Sequence, residues 1–363
     1  MVAGKLMAHM KTKPKQATIV GVDLSDKKHQ ICVLDKNGEI LSERTIPNSY
    51  AGLEKLSADY PEALIAMEVG THSPWISNYL KEKGHKVIVA NARKLRAIYC
   101  NERKSDKRDA QMIAKLARVD TSLLYPIEHG SVENLENRQR IAMRDTLVKH
   151  RVALINSVRF SLKSLGLRLS SPSSASFSSY ARKVLCAQPS KLQLVESMLV
   201  VIEAMSDQIK QADRHIKEQM VTVLPESKRL MQIPGVGALS AVSFVLTIDD
   251  PWRFKDPRDV AAYLGLVPKR DQSGEIDKQL PISKAGNRQM RTLLVQCAQY
   301  IMRSNSPDCD LKRHGERIAA RGGRIAKRKA IIAVARKLSV TMLTIWQRQI
   351  EYQPLVAIKA NAV

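Results

Sequence analysis

At 363 residues and 40.6 kDa the chain is too long for one compact core, which predicts two or three domains. Lys and Arg number 59 against 35 Asp and Glu, giving a net charge of +24 and a sequence pI of about 9.9. With 44% hydrophobic residues this is no disordered basic tail, and a folded chain carrying such a field predicts a polyanionic partner, nucleic acid first. Cys32, Cys100, Cys186, Cys297 and Cys309 form no CxxC pair, which excludes a disulfide framework and a zinc module and suits a reducing cytoplasm. No apolar run reads as a membrane span, and the first twenty residues lack the apolar block of a signal peptide. The expectation is a soluble intracellular protein.

Residues 1–16 carry four lysines and no acid, and read as a flexible basic arm. Ala17–Asp23, Gln30–Leu34 and Glu39–Arg44 read as strands, the last two joined by Asp35-Lys36-Asn37-Gly38, whose Asn-Gly pair is a hairpin signal. Tyr50–Asp59 reads as a helix, Leu64–Val69 as a buried strand, Ser73–Lys83 as a helix and Lys86–Val89 as a strand; a basic helix-like stretch follows at Asn91–Tyr99. A hairpin followed by alternating helices and strands predicts an α/β domain, a mixed sheet with flanking helices, over residues 17–125.

Beyond Leu123 the strand signal stops. Val148, Ile155, Val158, Leu162 and Leu165 recur at helical spacing, and Val195, Met198, Ile202, Met205, Ile209, Ala212 and Ile216 repeat at three and four. That spacing predicts an α-helical coiled-coil middle over 126–225, as an antiparallel hairpin, an intermolecular coiled coil, or an amphipathic helix on its own domain. The Ser-rich stretch Leu169–Tyr180 reads as a loop. Residues 226–350 read as a mostly α third region and 351–363 as a tail. Pro268–Pro281 looks loop-like, and Lys312–Lys337 holds ten Lys/Arg against one acid, Glu316.

Three constellations bear chemistry. Asp23 ends an apolar strand, Glu68 sits near the end of another, and Asp106 and Asp109 stand three apart at a helix start, on one face. A carboxylate at a buried strand end needs a partner, and four of them suit Mg²⁺ or Mn²⁺ rather than zinc. Two such ions can drive phosphoryl transfer, and the order of acids and elements fits an RNase H-like arrangement. Taken singly, Asp23 also reads as a cap, Glu68 as an ion-pair partner, and Asp106 and Asp109 as acids complementing a helix dipole. The second constellation, Ile233-Pro234-Gly235-Val236-Gly237 before Ala238-Leu239-Ser240, resembles a helix-hairpin-helix, with Gly235 and Gly237 letting a backbone approach phosphate; an ordinary helix corner has the same pattern. The third holds Ser273 and Ser283 among Lys269, Arg270, Lys284 and Arg288, cations able to stabilise an attacked phosphate, or to contact one. Arg321, Arg324, Lys327 and Arg328 read as backbone phosphate contacts, which position rather than specify.

The segments VGVDLSDKKHQICVLDKNG, AMEVGTHSPW, KSDKRDAQMIAKLA, IPGVGALSAVSFV, FKDPRDVAAYLGLVPKRDQSG and ISKAGNRQMRTLL, in this order, resemble the DEDD-type insertion-sequence transposases, which include Piv-type invertases and bridge-RNA-guided recombinases. The resemblance runs from about Thr18 to Leu343. It implies a RuvC-like RNase H-fold domain, a coiled-coil connector and a C-terminal transposase domain. It carries the metal-binding tetrad to Asp23, Glu68, Asp106 and Asp109, and the nucleophilic serine to Ser273, with Ser283 the fallback. It also implies a covalent phosphoserine intermediate on DNA, a homo-oligomer (dimer or tetramer) pairing one protomer's acids with another's serine, and a structured guide RNA encoded by the element. Ser105 stands where the family pattern has threonine, retaining a hydroxyl. Two other readings compete: a Holliday-junction-type nuclease using water, and a non-catalytic architectural nucleic-acid-binding protein.

Overall fold

The computed structural model describes residues 18–92, 94–95, 105–170, 173–273 and 276–355. The expected arm over 1–16, much of Asn91–Tyr99 and the end of the tail lie outside them. The chain divides into two compact units, residues 1–132 and 133–363.

The N-terminal unit is a five-stranded sheet in the order β3-β2-β1-β4-β5. Its strands are β1 (Ile19–Asp23), β2 (Lys28–Leu34), β3 (Ile40–Pro47), β4 (Leu64–Glu68) and β5 (Lys86–Ala90). β2 pairs antiparallel with β1 and β3, while β1, β4 and β5 run parallel. The Asn-Gly turn forms as the sequence predicts: Gly38 sits at φ +93°, and the Asp35 carboxylate accepts from the Asn37 and Glu39 amides, both at 2.9 Å. Helices α1 (Tyr50–Asp59) and α2 (Ser73–Glu82) cover one face, burying Leu53, Leu56, Ile76 and Leu80 against Val20, Val22, Ile31 and Ile65.

The opposite face carries α3 (Asp106–Val119), which buries Ala110, Ile113, Ala114 and Ala117. Gly21 makes this packing possible, because a Cβ there would stand 2.2 Å from the Ala110 carbonyl oxygen. Ile113 and Ala117 cluster with Ile19, at the start of β1, while Ala110 lies over Gly21. α3 therefore runs against β1, and its N-terminus arrives at the end where β1 finishes.

The C-terminal unit is mostly helical, as predicted. α4 (Val132–Ser164) and α6 (Pro189–His215) form an antiparallel hairpin within the chain. Arg144 grips Asp213 through two nitrogens at 2.8 and 3.3 Å, and Arg151 donates to Ser206, so that advancing along one helix goes with falling back along the other. The buried seam of α6 is Val195, Leu199, Ile202, Ser206 and Ile209. This corrects the predicted series at two places: Leu199 and Ser206 take the seam positions expected for Met198 and Met205. Met198 is exposed with Leu194 and Val201 on a neighbouring stripe, and two adjacent apolar stripes give the same three-four spacing.

The Ser-rich stretch is not all loop, since α5 (Phe177–Leu185) begins inside it and buries Phe177, Ala181 and Leu185 between the hairpin helices. The hairpin base shares a cluster of Ile141, Ile216, Met220, Val242 and Leu246 with α8 (Ala238–Ile248), which follows the short α7 (Glu226–Leu230). Below it lie α9 (Asp259–Tyr263), α10 (Arg288–Ile301), α11 (Asp310–Ala319) and α12 (Gly323–Arg348). α12 corrects one expectation: by length and composition it could cross a membrane. Half of its apolar stretch is buried, with Val334, Leu338, Met342 and Trp346 forming the middle of the unit's core. A second correction concerns Pro268–Pro281, which is a two-stranded antiparallel ribbon of β6 (Pro268–Ser273) and β7 (Ile276–Ile282). Its described residues are mostly exposed, the apolar Leu280 included, and prolines stand at its start and near its end, so no buried alternation marked it.

Candidate active site and nucleic-acid interface

The acids of the N-terminal unit are brought to one end of the sheet by strand register and helix direction. Asp23 is the last residue of β1 and Glu68 the last of β4. The two strands are hydrogen-bonded neighbours with Val22 opposite Met67, so the next residues on each, Asp23 and Glu68, leave the sheet side by side. α3 delivers Asp106 and Asp109 to the same end. Its start is set by Ser105, whose hydroxyl accepts the Arg108 amide at 3.4 Å, the cap a hydroxyl residue supplies. Asp109 is buried and Asp106 exposed.

These donors are carboxylate oxygens, the hard ligands that magnesium and manganese take. Their chemistry fits such a cation. Their side chains are not drawn into a closed set: among the described residues no three His, Cys, Asp or Glu stand together so as to hold a metal. A fifth acid, Glu43, is committed elsewhere. Lys107 stands 2.6 Å from it, and that contact with the Gln111 hydrogen bond holds its carboxyl below the usual range.

In the C-terminal unit the two candidate serines occupy opposite ends of the ribbon. Ser273 is the last residue of β6, paired across to Ile276 at the far end. Ser283 is at the base, where its amide donates to the Val267 carbonyl at 2.8 Å and its hydroxyl faces the Ala285 amide at 3.4 Å. The base is held tightly. Gly286 sits at φ +69°, and a Cβ there would meet the Tyr263 oxygen at 2.0 Å. Arg291 ties this turn down by donating to the carbonyls of Leu264 at 3.0 Å and Gly286 at 3.2 Å. Lys269, Arg270, Lys284 and Arg288 are all exposed around the ribbon.

The glycine motif divides. Gly235, at φ +82°, has Tyr300 and the Cys297 carbonyl where a side chain would go, so its close approach is to its own domain. Gly237 faces open space at the start of α8. Arg321, Arg324, Lys327 and Arg328 are exposed, the last three in the first turns of α12. Of the same basic run, Lys312 and Arg313 are used internally, on the carbonyls of Ser304 and Ser306 and on Asp308.

Sequence reasoning passed over one group at the acidic end. His72 Nε2 lies 2.9 Å from the Asp26 carboxylate, and the Trp75 indole N–H points at its other nitrogen. The signal was present in AMEVGTHSPW, where His72 follows Glu68 by four residues.

A mixed sheet with acids at one end, joined to a basic helical half, defines a nucleic-acid-processing enzyme, and the comparisons narrow the class. Residues 20–166 match the DEDD transposases of IS110 type, described as a transposase, and residues 227–313 match the transposase IS116/IS110/IS902 family. The chain is 27% identical to the transposase for insertion sequence element IS1111A of Coxiella burnetii, over 93% of this chain and 92% of that one. It is 25% identical to a probable family 20 transposase of Pseudomonas aeruginosa, over 92% and 98%. A pilin gene-inverting protein of Moraxella lacunata is 31% identical over 37% of this chain and 41% of its own length. The chain belongs to the IS110 family of DEDD insertion-sequence transposases, enzymes that process DNA.

Proposed function

We propose that this transposase breaks and rejoins DNA by attack of the Ser273 hydroxyl on a phosphodiester, with Asp23, Glu68, Asp106 and Asp109 holding Mg²⁺ or Mn²⁺ at the reacting phosphate. The oxygen of Ser273 forms a bond to phosphorus, the ester bond to the leaving strand breaks, and the hydroxyl proton passes out as the leaving oxygen gains one. The result is a covalent phosphoserine, which the strand of a second DNA reverses. The observation that carries this reading is the delivery of Asp23, Glu68 and the start of α3 to a single sheet end. Carboxylates of like charge stay apart there until a cation draws them in. The cation, when bound, supplies charge to stabilise the phosphorane-like transition state.

Ser273 is favoured over Ser283 because it stands at the far end of a projecting ribbon, while the backbone of Ser283 is tied into the base. Lys269, Arg270, Lys284 and Arg288 neutralise the attacked phosphate, and Gly237, Arg321, Arg324, Lys327 and Arg328 bind flanking backbone. Gly235 serves the turn. The reading extends to a homo-oligomer, dimer or tetramer, in which one protomer's acids serve another's serine, to a structured element-encoded RNA that selects sequence, and to a cytoplasmic, nucleoid-associated location. The relatives are named as transposases and, in one case, as a gene-inverting protein, and the phosphoserine, the shared site and the guide RNA are what the resemblance to the family implies.

Denaturing gels of the protein incubated with end-labelled element-end DNA test it. A slow covalent species is expected from wild type and from Ser283→Ala, and none from Ser273→Ala. Asp109→Asn should bind DNA and form no adduct. An undiminished adduct in Ser273→Ala moves the nucleophile elsewhere, and cleavage by the double serine variant points to water.

A further inference from the structure

The protein holds only sixteen aromatic residues (three Trp, nine Tyr and four Phe), too few for a track that stacks base after base. Three of them meet beside the acidic end of the sheet. Tyr50, the first residue of α1, lays its ring edge-on to Trp75 at 5.1 Å and to Tyr79 at 5.2 Å between centroids. Trp75 and Tyr79 are partly buried against the core, but Tyr50 remains 64% exposed. A tyrosine recruited only for packing would be covered, as the side chains of Leu53 and Leu56 on the same helix are. Here the neighbours hold the ring while leaving most of it to solvent.

A chain of polar contacts fixes this cluster to the loop that follows Asp23. The Trp75 indole donates to His72 Nδ1 at 3.4 Å, and an indole can only donate, so the His72 proton is on Nε2 and goes to Asp26 at 2.9 Å. Asn48, two residues before Tyr50, donates to the carbonyls of Ser25 and Asp26 at 3.2 and 3.1 Å. Asp26 is three residues past Asp23, and His72 four past Glu68. α1 follows β3 and α2 follows β4, strands that both run with β1, so both helices begin at the end of the sheet where Asp23 and Glu68 emerge.

We propose that Tyr50, backed by Trp75, is a stacking platform for one unpaired nucleobase next to the phosphodiester at the acidic end. The proposal rests on the function proposed above for that end, and it names the state of the substrate there: a strand locally opened, with a base free to leave its partner. An aromatic face accepts any base, so the platform orders the strand without reading its sequence. His72 and Asp26 position Trp75 and so the platform.

The test is a fluorescence titration of the full-length protein carrying Trp252→Phe, which removes an exposed indole unrelated to this cluster. The probes are a 12-nucleotide oligo-dT, the matching oligo-rU, and a 12-base-pair duplex. Single strands should quench emission saturably, and Tyr50→Ala and Tyr50→Leu should each weaken their binding about tenfold while leaving duplex affinity unchanged. Tyr50→Phe should bind as wild type, and Tyr50→Leu keeps the apolar contact while removing the ring face. Preference between dT and rU identifies whether DNA or RNA is the occupant. Equal losses on duplex and single strand, or an unaltered Tyr50→Leu, would overturn the platform. Asp23→Asn should leave the quenching intact, so a failure of the acids' proposed role is read separately from a failure here.

Discussion

The acidic end of the N-terminal sheet and the serine ribbon of the C-terminal unit bear the two halves of the proposed chemistry on scaffolds of opposite kind. Asp23 and Glu68 stand on parallel strands buried on both faces, with α3 laid so close over β1 that only glycine fits at position 21. Ser273 ends a strand of a two-stranded ribbon whose described side chains are exposed, and whose anchorage is all at one end, through Gly286 and Arg291. The first scaffold fixes where the acids leave the sheet. The second carries Ser273 on the last position of β6, at the end of the ribbon opposite its anchorage. In the proposed division of labour, the rigidity of one half and the anchorage of the other are separately breakable.

Breaking the acidic half has the largest effect expected. Gly21→Val forces α3 off β1, since a Cβ alone would stand 2.2 Å from Ala110 O, and should cost the N-terminal unit ~3 kcal/mol or more. Calorimetry should show the transition of this unit lowered or lost while that of the helical unit stays in place. Breaking the ribbon's anchorage comes next. Gly286→Ala meets the Tyr263 oxygen and an unfavourable φ, and should cost about 2 kcal/mol. Covalent adduct on DNA should fall while binding of a divalent cation is unchanged, a split that a general loss of fold would not give.

A smaller effect sharpens the comparison through pH. His29, on β2, is fully buried, and burial holds its imidazole below the ordinary 6.5, outweighing a hydrogen bond with Asn48 that pulls the other way. Below that value the unfolded chain takes up a proton the folded one resists, so this contribution to stability is complete above pH 6.5 and drains away as pH falls. Urea melts of the N-terminal unit should therefore show a loss on acidification that is flatter in His29→Gln. The helical unit should show no matching change in that variant.

The same contrast explains what could be read from the sequence. The N-terminal strands and helices declared themselves because buried apolar runs end in acids or turns: VGVD, LIAMEV and the Asn-Gly hairpin each carry a burial pattern and a stop. The β6–β7 ribbon did not, because Pro268 and Pro281 read as loop and its one described apolar residue mid-strand, Leu280, is exposed rather than part of a buried run. The α6 helix lay between these cases. Its helical period was plain, but Met198 and Leu199 are equally apolar, and only packing against α4 and α5 decides which faces the seam. For the four acids the shared sheet end was legible, because Asp23 and Glu68 stand at strand ends and Asp106 and Asp109 at a helix start. Tyr50 and His72 were not, because their significance lies in α1 and α2 beginning at the same end of one sheet.

The central claim is that Asp23, Glu68, Asp106 and Asp109 together bind a hard divalent cation. Manganese binding to the full-length protein, followed by the loss of the free-ion paramagnetic resonance signal, tests it without any DNA or turnover. Wild type and a control Asp59→Asn should sequester manganese alike, and Asp23→Asn and Asp109→Asn should each release it, with magnesium competing in wild type. Equal manganese uptake by Asp23→Asn, Asp109→Asn and wild type would contradict the account.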